Sequence, residues 1–558
     1  MTKIRVGYIV DQGAVSHLVW DLIERSKSAQ HYSIELLVVQ NVASREMGGM
    51  LAKLIDFIKK RGIKKLVEKA LFSVIERIER KFVGRLTPKL AVYFRRYRLD
   101  QTGIAQLQVH PQVSASGFVY RYADADLAAI RERQIDVLIR GGNGILRGGI
   151  LDVCRFGILS FHHANNAVNR GAPPGFWEVY GREPSSGFII QQMQSELDGG
   201  DVLYKGAVAT SWFYVLNRTR VYAKANHFMH RLLERTGQMD SLPPAYPKTP
   251  YAFPLYLAPA LGQQLAYLAK TASHLGGKVA QRLLGTSMRW SVAYQFVDNW
   301  KDAVLWRSTV IRNPPQHFLA DPFVVQREGR HVCYVEDYDY VRRKGTITAY
   351  ELRRDGYTSL GTVLDEDCHL SYPFLLEEGG HLYMCPETQG AREIRMYKCI
   401  DFPLRWELHR VLMRGVSAVD SSIFKVGERW WMLSNLDSAG SGDHGSELHL
   451  FHADAFDADN WTAHPHNPIV FDSQRARNGG LIQDGEEIYR VFQTQGFDQY
   501  GASMGVARIT ELNEMAYSEE LLFAIPPKFF AGLQGTHTYS FGSGVLALDF
   551  VRLERHGK

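Results

Sequence analysis

One histidine and one carboxylate stand out by their setting. His162 follows the apolar run FGILSF, and Asp198 lies in LDGGD, beyond a loop rich in glycine and proline. An imidazole moves protons near neutral pH, and a nearby carboxylate fixes its tautomer or holds a relaying water. Together they predict general acid–base chemistry at one site. Either residue alone more often serves packing or a turn. Their shared frame singles them out.

The elements around the pair predict how it is held. Residues 1–215 alternate short apolar runs (IRVGYIV, IELLVV, DVLIRGG, FGILSF) with helical patterns such as HLVWDLIERSK and ADLAAIRER. That order predicts an α/β doubly wound parallel sheet, with His162 at the strand edge where such sheets bind ligands. A basic helical insertion at about 46–100 interrupts the pattern. Residues 216–285 read as a connector, with a helix ended by Gly237 and the proline-rich SLPPAYPKTPYAFPLY.

Residues 286–558 change character. ADPFVVQREGRHVCYVEDYD, SYPFLLEEGGHLYMCPETQG, VDSSIFKVGERWWMLSNLDS, RNGGLIQDGEEIYRVFQTQG and THTYSFGSGVLALDF share one scheme: a polar residue, an apolar strand, a glycine turn and a second apolar strand. Their leading residues, Asp321, Tyr372, Asp420, Asn478 and His537, are 51, 48, 58 and 59 residues apart. A period near fifty with paired strands predicts a five-bladed β-propeller. Glu336, Glu387, Asn435, Gln493 and Asp549 end the second strands. With Tyr372, Trp430 and Trp431 they are expected to line a central funnel suited to sugar hydroxyls and ring faces.

Residues 132–206 resemble the catalytic half of the folate-dependent formyltransferase family, on DVLIRGGNGILRGGILDVCRFGILSFHHAN and RGAPPGFWEVYGREPSSGFIIQQMQSELDGGDVL. The family motif is Asn-x-His followed by an aspartate. His162 and Asp198 match the histidine and aspartate, and Ser160 stands where the family has asparagine. Formyl transfer to an amine passes through an oxyanion and moves a proton toward the leaving nitrogen. The resemblance implies N10-formyltetrahydrofolate as donor, with Gly141, Gly142, Asn143 and Gly144 as backbone contacts to the pterin. Ser160 would supply a weaker oxyanion contact than asparagine, with Asn143, Asn165 or His163 as the candidates to compensate. GGNG is not a dinucleotide fingerprint, since it lacks the GxGxxG spacing.

The second half resembles the five-bladed propellers of arabinan- and xylan-active glycosidases and the N-terminal domain of the plant glucosamine inositolphosphorylceramide transferase. That likeness implies base and pKa-modulator roles for Asp321 and Asp420. Asn478 falls where the acid glutamate is expected, and an amide cannot protonate a leaving group; Glu387 is the substitute within reach of the pattern. The funnel residues Asp321, Tyr372, Glu387, Asp420, Asn478 and His537 are expected to bind glycan.

The fold class expected is therefore α/β (a formyltransferase-like Rossmann-type sheet) plus an all-β five-bladed propeller. The function expected is N-formylation of a nucleotide- or lipid-linked amino sugar in surface-polysaccharide synthesis. The alternatives are a glycoside-processing enzyme centred on the propeller and a non-catalytic carbohydrate-binding protein. No metal is expected, because the five cysteines are scattered and form no CxxC pair. Secretory and membrane-spanning patterns are missing, which predicts a cytoplasmic protein.

Net charge is +6, but residues 51–99 hold fifteen Lys or Arg against four Asp or Glu, so the remainder is near −5 (6 − 11). Apolar residues recur there at helical spacing, with bases opposite. Packing on the protein's own core is the first reading, and peripheral contact with the inner membrane face through residues 51–99 is the second. No nucleic acid partner is expected, since no binding motif accompanies the charge.

Overall fold

The computed structural model describes residues 3–42, 50–164, 170–195 and 200–555, with backbone alone for residues 50–57, 60 and 170. The chain divides into two compact units, Met1–Ala272 and Ser273–Lys558.

The first unit is built on a seven-stranded sheet. Its strands are β1 (Ile4–Asp11), β2 (Tyr32–Gln40), β3 (Ala105–Val109), β4 (Val137–Arg140), β5 (Ile158–His162), β6 (Ser185–Gln192) and β7 (Asp201–Ala209), in the order β7-β6-β5-β4-β1-β2-β3. β1 to β5 run parallel. The near-continuous apolar runs of β1, β2 and β4 are largely buried on both faces, as parallel strands covered by helices require, while the edge strand β3 is mostly exposed. β6 and β7 reverse direction, so the sheet is mixed where the sequence suggested a parallel one. The helices are α1 (His17–Ser26), α2 (Met50–Leu86), α3 (Asp124–Glu132), α4 (Phe176–Gly181) and α5 (Tyr214–Met239); α6 (Leu261–Leu283) begins in this unit and continues past Ala272.

The basic insertion is α2, which has a break at Gly62, where φ is 80°. The expected boundary at 215 moves. α5 belongs to the first unit, burying Val221, Ala225, Phe228 and Leu232. Gly237 does not end this helix. It lies inside the last turn because a Cβ there would fall 2.1 Å from the carbonyl oxygen of His31; Asp240, in a left-handed conformation, makes the cap.

The second unit is a five-bladed propeller. Four blades follow in sequence, led by the strands His317–Arg327, Ser371–Glu378, Ala418–Val426 and Asn478–Asp484. The fifth pairs Thr286–Phe296 with Val545–Arg555 along their full lengths. Joining the first and last strands closes the ring and removes a long sheet edge.

Each of the first four blades breaks register at its leading position, between Ala320 and Phe323, Ser371 and Phe374, Val419 and Ser422, and Asn478 and Gly480. Asp321, Tyr372 and Asp420 all have φ of 45–50° there. Three non-glycine residues in the left-handed region at equivalent places mark strain that the fold maintains.

Candidate functional site

The first unit carries a cavity of about 180 Å³ at the carboxyl ends of β1, β4 and β5. Its lining includes Tyr8, Arg140, Gly141, Gly142, Ser160 and His163. The Gly141–Gly144 loop reaches this place because two strand ends pin it. Asp11 accepts from the Asn143 backbone N–H at 3.1 Å and from its Nδ2 at 2.6 Å. Gln40 Nε2 donates to the Asn143 carbonyl at 3.2 Å. A Cβ on Gly141 would sit 2.4 Å from the Tyr8 ring, and one on Gly142 2.5 Å from Gln40 Nε2. The glycines thus lower the loop backbone onto the sheet. Asn143 thus directs one of its Nδ2 hydrogens to Asp11.

Ser160 and Arg140 are register partners on adjacent parallel strands, and both line the cavity. Ser160 is buried, its hydroxyl 3.3 Å from the Phe161 carbonyl. One guanidinium nitrogen of Arg140 donates to the Gly144 carbonyl at 2.7 Å. The sequence reading missed Arg140; its signal was a charged residue ending an otherwise apolar strand, DVLIR.

His162 ends β5, half-buried, but His163 is the histidine that lines the cavity. The His163 ring lies against Phe161 and Tyr222, with centroids 5.3 and 4.4 Å away. Burial, with the neighbouring His162, pushes its pKa down to about 3, so it is neutral at physiological pH. Asp198 and Asn165 lie outside the described residues.

In the second unit a cavity of about 320 Å³ is lined by Asp321, Glu336, Glu387, Arg477 and His537, with Trp290, Phe318, Tyr338 and Tyr500 among its aromatic walls. Asp321 accepts from the Thr538 hydroxyl at 2.6 Å and from the Tyr372 backbone N–H at 3.2 Å. Burial raises its pKa to about 6, against the opposing pull of His537. Burial and then Asp420 raise Glu387 to about 8. Burial and then Asp321 raise Glu336 well above the usual carboxylate range.

Burial opposes charge on His537, yet Asp549, with Oδ2 2.6 Å from Nδ1, and Asp321 outweigh it and lift the imidazole pKa. His537 also stacks on Trp290, ring centroids 3.9 Å apart. Asp321, His537 and Asp549 bring ligand atoms within 4.8 Å of one another, a spacing that admits a cation. Asp549 is already engaged, accepting from the backbone N–H groups of Asp321, His537 and Thr538 at 3.1, 2.9 and 3.0 Å.

Four expected funnel residues fall elsewhere. Asn478 turns inward to the backbone: its N–H donates to Asn435 Oδ1 at 2.8 Å and its Nδ2 to the Asp420 carbonyl at 2.9 Å. Tyr372 is buried, its hydroxyl 3.0 Å from that of Ser422. Trp430 and Trp431 pack into separate blade cores, because successive strand residues face opposite sides.

The residue that enters the channel from the fourth blade is Arg477. Its Nε donates to Asp420 Oδ2 at 2.6 Å, Glu387 lies 4.0 Å away, and the guanidinium sits 4.7 Å over the Tyr500 ring. The sequence singled out the neighbouring asparagine because blade alignment is uncertain by one residue at a bulge.

Residues 291–536 match the family model described as "Glucosamine inositolphosphorylceramide transferase 1, N-terminal", the likeness expected of the second half. The Arabidopsis thaliana protein named glucosamine inositolphosphorylceramide transferase 1 is 31% identical over 212 residues, 37% of this chain and 27% of that protein. The protein of the same name from Oryza sativa subsp. japonica is 30% identical over 211 residues, 37% of this chain and 28% of that protein.

Among solved structures, glycinamide ribonucleotide transformylase 1 from Symbiobacterium toebii aligns with 42% of this chain and 89% of its own, at 12% identity and a TM-score of 0.27. An α-L-arabinofuranosidase from Podospora anserina aligns with 42% and 90%, at 8% identity and a TM-score of 0.33. Scores this low bear no weight on what the sites do. The chain spans little more than a quarter of the length of the plant relatives it matches, 27% and 28%.

Proposed function

We propose that the first unit transfers a formyl group from N10-formyltetrahydrofolate to the amine of a nucleotide- or lipid-linked amino sugar. The observation that carries this reading is the cavity at the strand ends, where Ser160, Arg140 and the pinned glycine loop meet beside the His162–His163 pair. The donor supplies an activated one-carbon group. Arg140 and Ser160 donate hydrogen bonds to the formyl oxygen as it gains negative charge. A guanidinium does this more strongly than a hydroxyl, which offsets the missing asparagine. His162 takes the proton from the attacking amine and returns it to the departing nitrogen. His163, held neutral, adds no positive charge that would repel an ammonium substrate.

The channel of the second unit, with its aromatic walls and carboxyl groups, binds the glycan part of the acceptor. An amino-sugar acceptor accords with the word glucosamine in the name of the plant relatives. Arg477 enters from the fourth blade, where the acid glutamate was expected, and is paired with Asp420, so hydrolysis in the channel would rest on Glu387 as the acid.

The test is to incubate the full chain with N10-formyltetrahydrofolate and a panel of amino-sugar nucleotides and glucosamine-bearing lipids, following tetrahydrofolate release. Release is expected with at least one amine, lost in His162→Ala and retained in Asp321→Ala. No release with any amine, together with glycan cleavage abolished by Asp321→Ala, establishes the glycoside-processing alternative instead. Glycan binding without either activity establishes the non-catalytic one.

A further inference from the structure

The helix α2 has two apolar faces, and the fold uses one of them. Ile75 and Val83 are buried, as is Glu79, which accepts from the Tyr267 hydroxyl and from the Val215 backbone N–H. Beside that face Ile63, Val67, Val74, Ile78 and Phe82 are 67, 47, 49, 51 and 48% exposed. At 3.6 residues per turn these five fall within an arc of about 100° running about 28 Å along the helix. A stripe of this length without cover is unusual on a soluble surface. Lys64, Arg77, Lys81 and Arg85 are exposed on the same arc or at its edges.

We propose that this arc docks on an anionic phospholipid bilayer, the apolar side chains entering the interface and the bases meeting the headgroups. Charge selects the occupant. Residues 51–99 carry fifteen bases against four acids, so a second copy of the same face would be repelled. A nucleic acid would satisfy the cations and leave the apolar stripe in water. Anionic lipid satisfies both, the arrangement of an interfacial amphipathic helix. Among the described residues no helix is long and apolar enough to cross a membrane. The inference does not depend on the chemistry of either cavity.

Vesicle flotation of the full chain tests it. The protein should float with vesicles of phosphatidylcholine containing phosphatidylglycerol and stay behind with phosphatidylcholine alone or at high salt. The double variant Val74→Asp, Ile78→Asp should lose at least tenfold in partitioning while its thermal melt is unchanged, since both positions are exposed. Arg77→Glu with Lys81→Glu should lose about fivefold for each basic residue removed. The proposal is overturned if wild type ignores anionic vesicles, or if the Val74/Ile78 variant floats equally well. It is equally overturned if light scattering finds a dimer that this variant abolishes.

Discussion

Among the described residues, the cavity of the first unit is lined largely by backbone and small or neutral side chains, with Arg140 as the charged one. The propeller channel crowds Asp321, Glu336 and Glu387 around Arg477 and His537. On the proposed reading the first arrangement suits negative charge that develops during a reaction, because its hydrogen-bond donors are fixed beforehand. The second, on the proposed reading, suits a ligand rich in hydroxyl or ammonium groups, and burial favours the protonated form of Glu336 and Glu387 there. One site thus depends on placement, the other on balance. Each can be broken where that dependence is greatest.

The largest effect should come from removing the balancing cation. Arg477→Met leaves Asp420, 2% exposed, as a buried carboxylate without its ion-pair partner. Loss of one partner of such a pair costs about 3–5 kcal/mol, and denaturant titration reads that loss directly. A variant as stable as wild type at neutral pH would mean that the channel does not rest on this pair.

Arg140→Met should leave folding nearly intact, because the guanidinium lies at a cavity wall. It should lower formyl transfer by about 10²–10³ in kcat, the usual effect of deleting one oxyanion donor, with little change in KM. Arg140→Lys should restore part of that loss. A change confined to KM would make Arg140 a binding group and return the oxyanion contact to Ser160 alone.

Such contrasts show what the sequence makes legible. The parallel strands and five blades are readable because buried strands force continuous apolar runs, and a repeat forces a period. His162, Ser160 and the GGNG loop are readable because the strand boundary and glycines leave local marks. Arg140 and Arg477 are less so. Arg140 gains meaning only from its register beside Ser160, and Arg477 only from a bulge that puts it in the channel in place of Asn478. Register and bulges come from pairing across the sheet, which composition along the strand does not record. The tryptophans of blade three mislead for the opposite reason: aromatic side chains suit a sugar face and a blade core equally.

Glu387 tests the proton balance. Its folded pKa, about 8, lies above the ordinary value of 4.5. The folded state therefore binds a proton more tightly than the unfolded state, and stability is present below pH 4.5 and lost as pH rises through 8. Glu387→Gln should flatten that slope. At pH 8.5 it should melt above wild type by a few degrees, about 2–4 °C for each kcal/mol recovered, and near pH 5 the two should coincide. Parallel curves would show that relief of Asp420 and Glu336 by other groups has hidden the Glu387 proton.

The first unit has a smaller counterpart in Glu79, which sharpens the comparison because it lies away from either cavity. Burial raises its pKa to about 7, against the hydrogen bonds from Tyr267 and Val215 that favour the ion. The sign is as for Glu387, so its contribution is full below pH 4.5 and gone above 7. A glutamine copies the protonated acid: its Oε1 accepts from the Val215 N–H and its Nε2 donates to the Tyr267 oxygen. Glu79→Gln should match wild type at pH 5 and exceed it by about 1 kcal/mol at pH 8, allowing for water near a residue 8% exposed. Denaturant midpoints across that range measure the difference. If the variant is weaker at every pH, the ionised carboxylate is the form the helix packing requires. Proton storage would then be confined to the propeller channel.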